Sequence, residues 1–298
     1  MKRFLTAVLI WVVCIVSAGD RVLIWEASAP KLPGKAYIAG SIHSGKANWY
    51  PLDLAYDRAL DAASAVYFEI YPLNQQEVAQ KTLFYGLFQG GRTLRQVLNG
   101  QDYQAVCAFY AKYSPGMNPQ VLDRFRPWLL SVQIAQLYLM QHPEISRACG
   151  LENVFSKHLG GKPGRGLENA DDQFLAMSAV PDAAAGAVLM ENVRDFNLAG
   201  RDLDRIFRAL ETGEPDELSL IANEMAFKHP EFHRELFLNR NRKIAEKIYE
   251  LLKTKQTVFI LVGAGHVAGK GNILEFLREK GCSTIQLKRA GRPGRIQP

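Results

Sequence analysis

Six consecutive β-branched or apolar residues, Thr257 to Val262, have the pattern of a buried strand. Gly263-Ala264-Gly265 breaks the run, and His266 follows at once. Asn272 to Lys280 then reads as a helix with Ile273, Leu274 and Leu277 on one face. Gly281 stops it, and Ser283 to Leu287 forms another strand. This unit carries one polar side chain, His266, to the C-terminal end of a buried strand. Open α/β sheets place their chemistry at that edge.

The same pattern stands near the start. Val22 to Glu26 predicts a first strand, Pro33-Gly34 a turn, and Ala36 to Ile42 a second strand ending at His43. Both strands close on Gly-x-x-His, as Gly40-Ser41-Ile42-His43 and Gly263-Ala264-Gly265-His266. A helix is expected from Pro51 to Ala63, with Leu52, Ala55, Ala59 and Leu60 toward the core. Ala65 to Ile70 alternates, setting Ala65, Tyr67 and Glu69 on one side and Val66, Phe68 and Ile70 on the other.

From about residue 74 to 255 the period turns helical. Helices are predicted over 94–98, 101–113, 118–125, 127–140, 151–159, 171–195, 201–212, 214–228 and 230–253, with a short strand over 162–167. The helix after Pro127 is apolar nearly all round, which places it centrally in a bundle. The chain thus reads as α/β (α+β). A mixed central sheet draws strands from near both ends and encloses a large helical insertion.

Composition adds two limits. The 298 residues with 48% hydrophobic content suffice for one large domain or two small ones, and no linker marks a boundary. The formal charge of +6 is matched by six residues outside the body: Lys2, Arg3, Lys288, Arg289, Arg292 and Arg295. The last four belong to a tail, about 288–298, that its charge and Gly/Pro content predict to be flexible. The basic balance therefore does not argue for a nucleic-acid surface.

Met1 to Ala18 has the parts of a signal peptide: Lys2-Arg3, an apolar run from Phe4 to Val16, and Val16-Ser17-Ala18 before Gly19. The expectation is an exported, periplasmic or secreted protein spanning 19–298, or an N-terminal membrane anchor if the leader stays. The run is shorter than the roughly 20 residues of a spanning helix. Cys107, Cys149 and Cys282 then remain, allowing at most one disulfide.

Candidate chemistry rests on few residues. His43 and His266 can act as bases or as neutral metal ligands, and the preceding glycines Gly40, Gly263 and Gly265 allow a sharp turn and close backbone approach. Glu69 can be a ligand, a base or the orienter of a histidine. Arg240 falls within the apolar stripe Phe237, Ile244, Ile248 and Leu251, where an unpaired guanidinium is strongly unfavourable. It calls for a partner such as Glu69, or a role in stabilising an oxyanion. Asn241 can cap or orient, and Glu168 closes the short strand as a further acid or a helix cap. Other motifs fail on spacing. His229-Pro230-Glu231-Phe232-His233 misplaces the acid of a zincin, Gly263-Ala264-Gly265 lacks a third glycine, and Gly269-Lys270-Gly271 is no P-loop.

Taken together, these residues resemble the TraB/GumN family, which includes the Tiki-type membrane proteases. The resemblance runs through Gly40 to His43, Phe68-Glu69, Gly91-Arg92-Thr93-Leu94, Arg126-Pro127-Trp128 and Gly166-Leu167-Glu168 with Gln173. It continues in Asn239-Arg240-Asn241 and Val262 to His266 with Gly269. It implies a mixed α/β core related to erythromycin-esterase-like and ChaN-like folds. For the Tiki branch it implies metal-dependent peptide hydrolysis, with roles that map onto His43, His266 and Glu69. One departure is Gly150-Leu151-Glu152, where the family's usual Asp is Glu152.

The leading expectation is an exported hydrolase of peptide or related acyl bonds. It would use a divalent metal ion (Mn, Co or Zn) on His43, His266 and Glu69, with Arg240 stabilising negative charge. One alternative keeps these residues without metal, with His43 as the base oriented by Glu69. Another is a non-enzymatic periplasmic module binding a ligand, haem, metal or peptide. The expected partner is a peptide or small acyl substrate, with no nucleic acid and no membrane span after leader removal.

Overall fold

A computed structural model of the chain describes residues 19–292 and 294–298; the predicted signal peptide, residues 1–18, lies outside them. The alternating and continuous apolar runs become strands β1 (Arg21–Ser28), β2 (Lys35–Ser41), β4 (Ala65–Ile70), β6 (Gly164–Glu168), β7 (Thr257–Gly263) and β8 (Ser283–Lys288). They form one sheet in the order β6-β4-β7-β2-β1-β8. Two short strands, β3 (Gly45–Lys46) and β5 (Ile145–Ser146), pair separately.

β4 runs parallel to both β6 and β7, and β7 parallel to β2, while β1 is antiparallel to β2 and β8. The C-terminal ends of β6, β4, β7 and β2 therefore share one edge. Both faces of the sheet are covered. Val258, Ile260 and Val262 pack toward Ile244, Ile248, Leu252 and Leu274, and Phe259 and Leu261 toward Phe68, Phe155 and Leu52. This double burial explains the unbroken apolar run of β7. Glu69 follows Ala65 and Tyr67 onto the face covered by the helix Asn239–Leu252.

Several expectations change. The helix expected over 171–195 is two, Ala170–Ala179 and Asp182–Arg194, bent by 90°. Pro181 supplies no N–H and disfavours helix for Val180, so the chain breaks there. A helix at Gln75–Gly86, capped by Asn74, was not distinguished in the pattern. The helix Pro127–Met140 is buried only through its first half, to Ile134; Met140 is 79% exposed. The stretch from Pro230 is not one regular helix: Pro230–His233 passes through a π turn, Arg234–Leu238, into Asn239–Leu252.

The tail expected to be flexible is docked. Ala290 and Gly291 donate backbone N–H to the Asp53 carboxylate, Arg295 donates to Asp57, and Ile296 is buried at 2% exposure. Asp53 caps the helix Leu54–Ala62 and Asp57 lies on it; both are buried, and the tail supplies donors to them. Cys107, Cys149 and Cys282 are free thiols. Among the described residues no single helix is long and apolar enough to cross a membrane.

Candidate functional site

Three strand ends supply the centre. Glu69 stands one residue before the end of β4, Glu168 ends β6, and Gly263 ends β7 just ahead of His266. The helix Asn239–Leu252 crosses this edge with Arg240 and Asn241 buried in its first turn. The π turn just before them adds a residue to the turn, the kind of local irregularity that re-aims side chains at sites. Arg240 continues the buried row Ile244, Ile248 and Leu252, so its head enters the interior and finds carboxylates there.

Arg240 bridges two acids. Its Nε donates to both Glu168 oxygens at 3.1 and 3.2 Å, and its Nη2 donates to Glu168 Oε2 and to Glu69 Oε2 at 3.0 Å. Nη1 donates to the Leu236 carbonyl at 3.2 Å. Glu69 Oε2 also accepts from Gln173 at 2.9 Å, and Oε1 accepts the backbone N–H of Gly263. Burial alone would raise the Glu69 pKa; the charges of His266 and Arg240 and the Gly263 N–H outweigh it and hold the carboxyl at about 2. His266 carries no charge at neutral pH, so Arg240 and the N–H donors hold Glu69 ionised there.

His266 is 4% exposed. Burial pushes its pKa down to about 4; Glu69 pulls upward and Arg240 downward. Asn241 Nδ2 donates to the Gly271 carbonyl at 2.8 Å, which turns Asn241 Oδ1 toward His266 Nδ1 at 2.5 Å. Nδ1 therefore carries the proton, and the bare Nε2 faces Glu69 Oε1 across 3.6 Å. Two acceptors face each other with no proton between them. Phe237 packs on the ring at 5.4 Å and on Gly265, where a Cβ would come within 2.8 Å of it.

His43 lies at the same sheet edge, where its charge still acts on Glu69, but its close partner is a different acid. Ser41 pairs with Gly263 in the β2–β7 register, so both histidines leave neighbouring strand ends. The His43 side chain is 74% exposed, and its Nδ1 lies 3.3 Å from Glu152 Oε1. Glu152 raises its pKa to about 9, a pull that the solvent around the ring weakens. Of the two histidines, Glu69 faces His266, and the close contact of His43 is with Glu152. Glu152, Gln173 and Phe237 were missed as site residues. Glu152 and Gln173 were visible only within motifs, with nothing local to show their partners.

A divalent ion with bonds of about 2.0–2.2 Å at tetrahedral angles sets its donor atoms roughly 3.4 Å apart. The 3.6 Å between His266 Nε2 and Glu69 Oε1 matches that separation, and Asn241 fixes the ring as ligand-bound histidines require. Among the described residues no three His, Cys, Asp or Glu side chains form a metal-holding group. His266 and Glu69 thus supply two donor atoms at a spacing an ion could bridge, one short of the three protein ligands usual in a catalytic metal site.

A family model matches residues 23–285, described as the TraB/PrgY/gumN family. The chain belongs to the TraB/PrgY/gumN family. The match runs from β1 to β8 and so takes in every strand of the six-stranded sheet. In this TraB/PrgY/gumN chain the Gly-x-x-His histidines, Glu69, Glu168 and Arg240 all fall within the matched span. Searches of curated proteins and of solved structures returned no match.

Proposed function

We propose that the protein is an exported hydrolase of peptide or related acyl bonds, with its site at the shared edge of β4, β7 and β2. The observation that carries the reading is the uncharged His266 Nε2 opposed to ionised Glu69 Oε1 at 3.6 Å. Glu69 Oε1 already accepts the Gly263 N–H, so the lone pair of His266 Nε2 is the group left open to a cation or a water donor.

His266 and Glu69 would hold a divalent ion, whose chemistry is Lewis acidity and a bound-water pKa lowered to about 7. Asn241 keeps the His266 proton on Nδ1, leaving Nε2 free. Arg240 holds Glu69 charged and in place, and Glu168 anchors Arg240 from the other side. His43, exposed on the neighbouring strand end, accepts a proton from water. The leader Met1 to Ala18 supports export.

A second reading dispenses with the metal. It is favoured by the three N–H donors that already meet Glu69, from Gly263, Gln173 and Arg240. The test is hydrolysis of a peptide and ester panel by untagged protein, with metal content measured in parallel. Activity abolished by chelation and by His266→Ala supports the metal reading. Full activity of the chelated protein supports the second, and turnover unchanged in both His43→Ala and His266→Ala would reject the hydrolase.

A further inference from the structure

The loop that leaves β2 and the helix Leu151–Lys157 meet far from one another in sequence. The Leu151 N–H donates to the Ile42 carbonyl at 3.1 Å. Gly150 lies so close to the His43 carbonyl that any Cβ there would collide with it. These contacts lock the first turn of the helix to the end of β2. They bring the Glu152 carboxylate beside His43, with Oε1 3.3 Å from Nδ1. Ser41 Oγ donates to the same oxygen at 2.5 Å and fixes its position. The other oxygen, Oε2, is buried with no hydrogen-bond partner among the described residues. A half-satisfied buried carboxylate contributes little to stability, which points away from a purely structural role for it.

We infer that Glu152 is the positioning residue for His43: it holds the Nδ1 proton in place, turns Nε2 outward and makes His43 the proton acceptor of the site. The catalytic half of this inference rests on the hydrolase reading, and the positioning half does not. In the reaction, a water oxygen bonds to the substrate carbonyl carbon while one water proton passes to His43 Nε2. The bond from that carbon to the leaving nitrogen or oxygen then breaks, and His43 returns the proton to the leaving group. The products are an acid and an amine or alcohol, and nothing is oxidised or reduced. Throughout, the Nδ1 proton stays between ring and Glu152, where the carboxylate favours the transient imidazolium.

The test uses the full mature chain and four variants: Glu152→Ala, Glu152→Gln, Glu152→Asp and His43→Ala. Nitrogen-15 spectra of the His43 ring, taken where the ring is uncharged, read the tautomer without any substrate. The wild type and Glu152→Asp should hold the proton on Nδ1, and Glu152→Ala should move it substantially to Nε2. Hydrolysis of p-nitrophenyl acetate and of a tryptic peptide mixture reads the second half. Glu152→Gln should lose about 10- to 100-fold in kcat with KM within about twofold, the scale of an orienting group, and Glu152→Asp should recover most of it. An unchanged tautomer in Glu152→Ala would overturn the positioning claim, whatever the activity. A tautomer that shifts as expected, with kcat unchanged in both Glu152→Gln and His43→Ala, would instead overturn the catalytic half.

Discussion

Lowering the pH should strain this site before any other part of its charge network, and His266 sets the window. Its pKa is about 4 in the fold against 6.5 for an ordinary histidine. Between those values the unfolded chain binds a proton that the folded chain refuses. Stability from the buried neutral ring is therefore complete above about pH 6.5 and is lost as pH falls toward 4. The shift corresponds to about 3 kcal/mol at 1.36 kcal/mol per unit. Glu69 acts later. Its pKa, lowered from 4.5 to about 2, contributes stability present above 4.5 and lost only as pH falls through 2. His233, also depressed by burial, shares the direction of His266, so the wild-type curve alone does not isolate one ring. The difference between wild type and His266→Gln does. Urea unfolding at pH 7, 6, 5 and 4 should show the wild type losing about 3 kcal/mol more than His266→Gln across that range. Parallel curves for the two proteins would refute the buried neutral imidazole and with it the bare Nε2.

The other predictions concern the supports of the site. Arg240→Met should destabilise the protein by about 3–5 kcal/mol, because it strands Glu69 and Glu168 in the interior; a loss below about 1 kcal/mol in chemical denaturation would contradict the bridge. If the protein hydrolyses acyl bonds, its rate should climb as pH rises from about 6.5 toward 9, because Glu152 raises the pKa of His43 and only the uncharged ring accepts a proton. The pH-rate profile of Glu152→Gln should have that limb displaced to lower pH. Asp53→Ala removes the acceptor for Ala290 and Gly291, so limited proteolysis should cut residues 289–298 of the variant much faster than those of the wild type.

What the sequence disclosed follows the range of the forces involved. The strand at 257–262 is legible because burial on both faces writes itself into consecutive residues, and the strand at 65–70 because its side chains alternate. Glu69 stood out as an acid in the alternation of β4, and Arg240 as a cation in an apolar row. The broken helix at Val180-Pro181 was legible in principle, since Pro181 announces it, but the apolar periodicity continues across the break. Other features depend on long-range contacts. Nothing near Glu152 shows that it lies beside His43, because residues 44–151 separate them and the β2 end brings them together. Nothing local marks Asp53 and Asp57 as acceptors for the tail, and only the packed chain shows that they receive its N–H groups. The same holds for the π turn at Arg234–Leu238, which no residue in that stretch requires.

The proposed cation seat joins His266 Nε2 and Glu69 Oε1. Crystals of untagged protein soaked in Mn²⁺, with anomalous scattering recorded, test it most directly. An anomalous peak is expected within about 2.3 Å of both atoms, absent from Glu69→Gln crystals treated identically. A map with no peak between them, or with manganese bound only elsewhere, would contradict it.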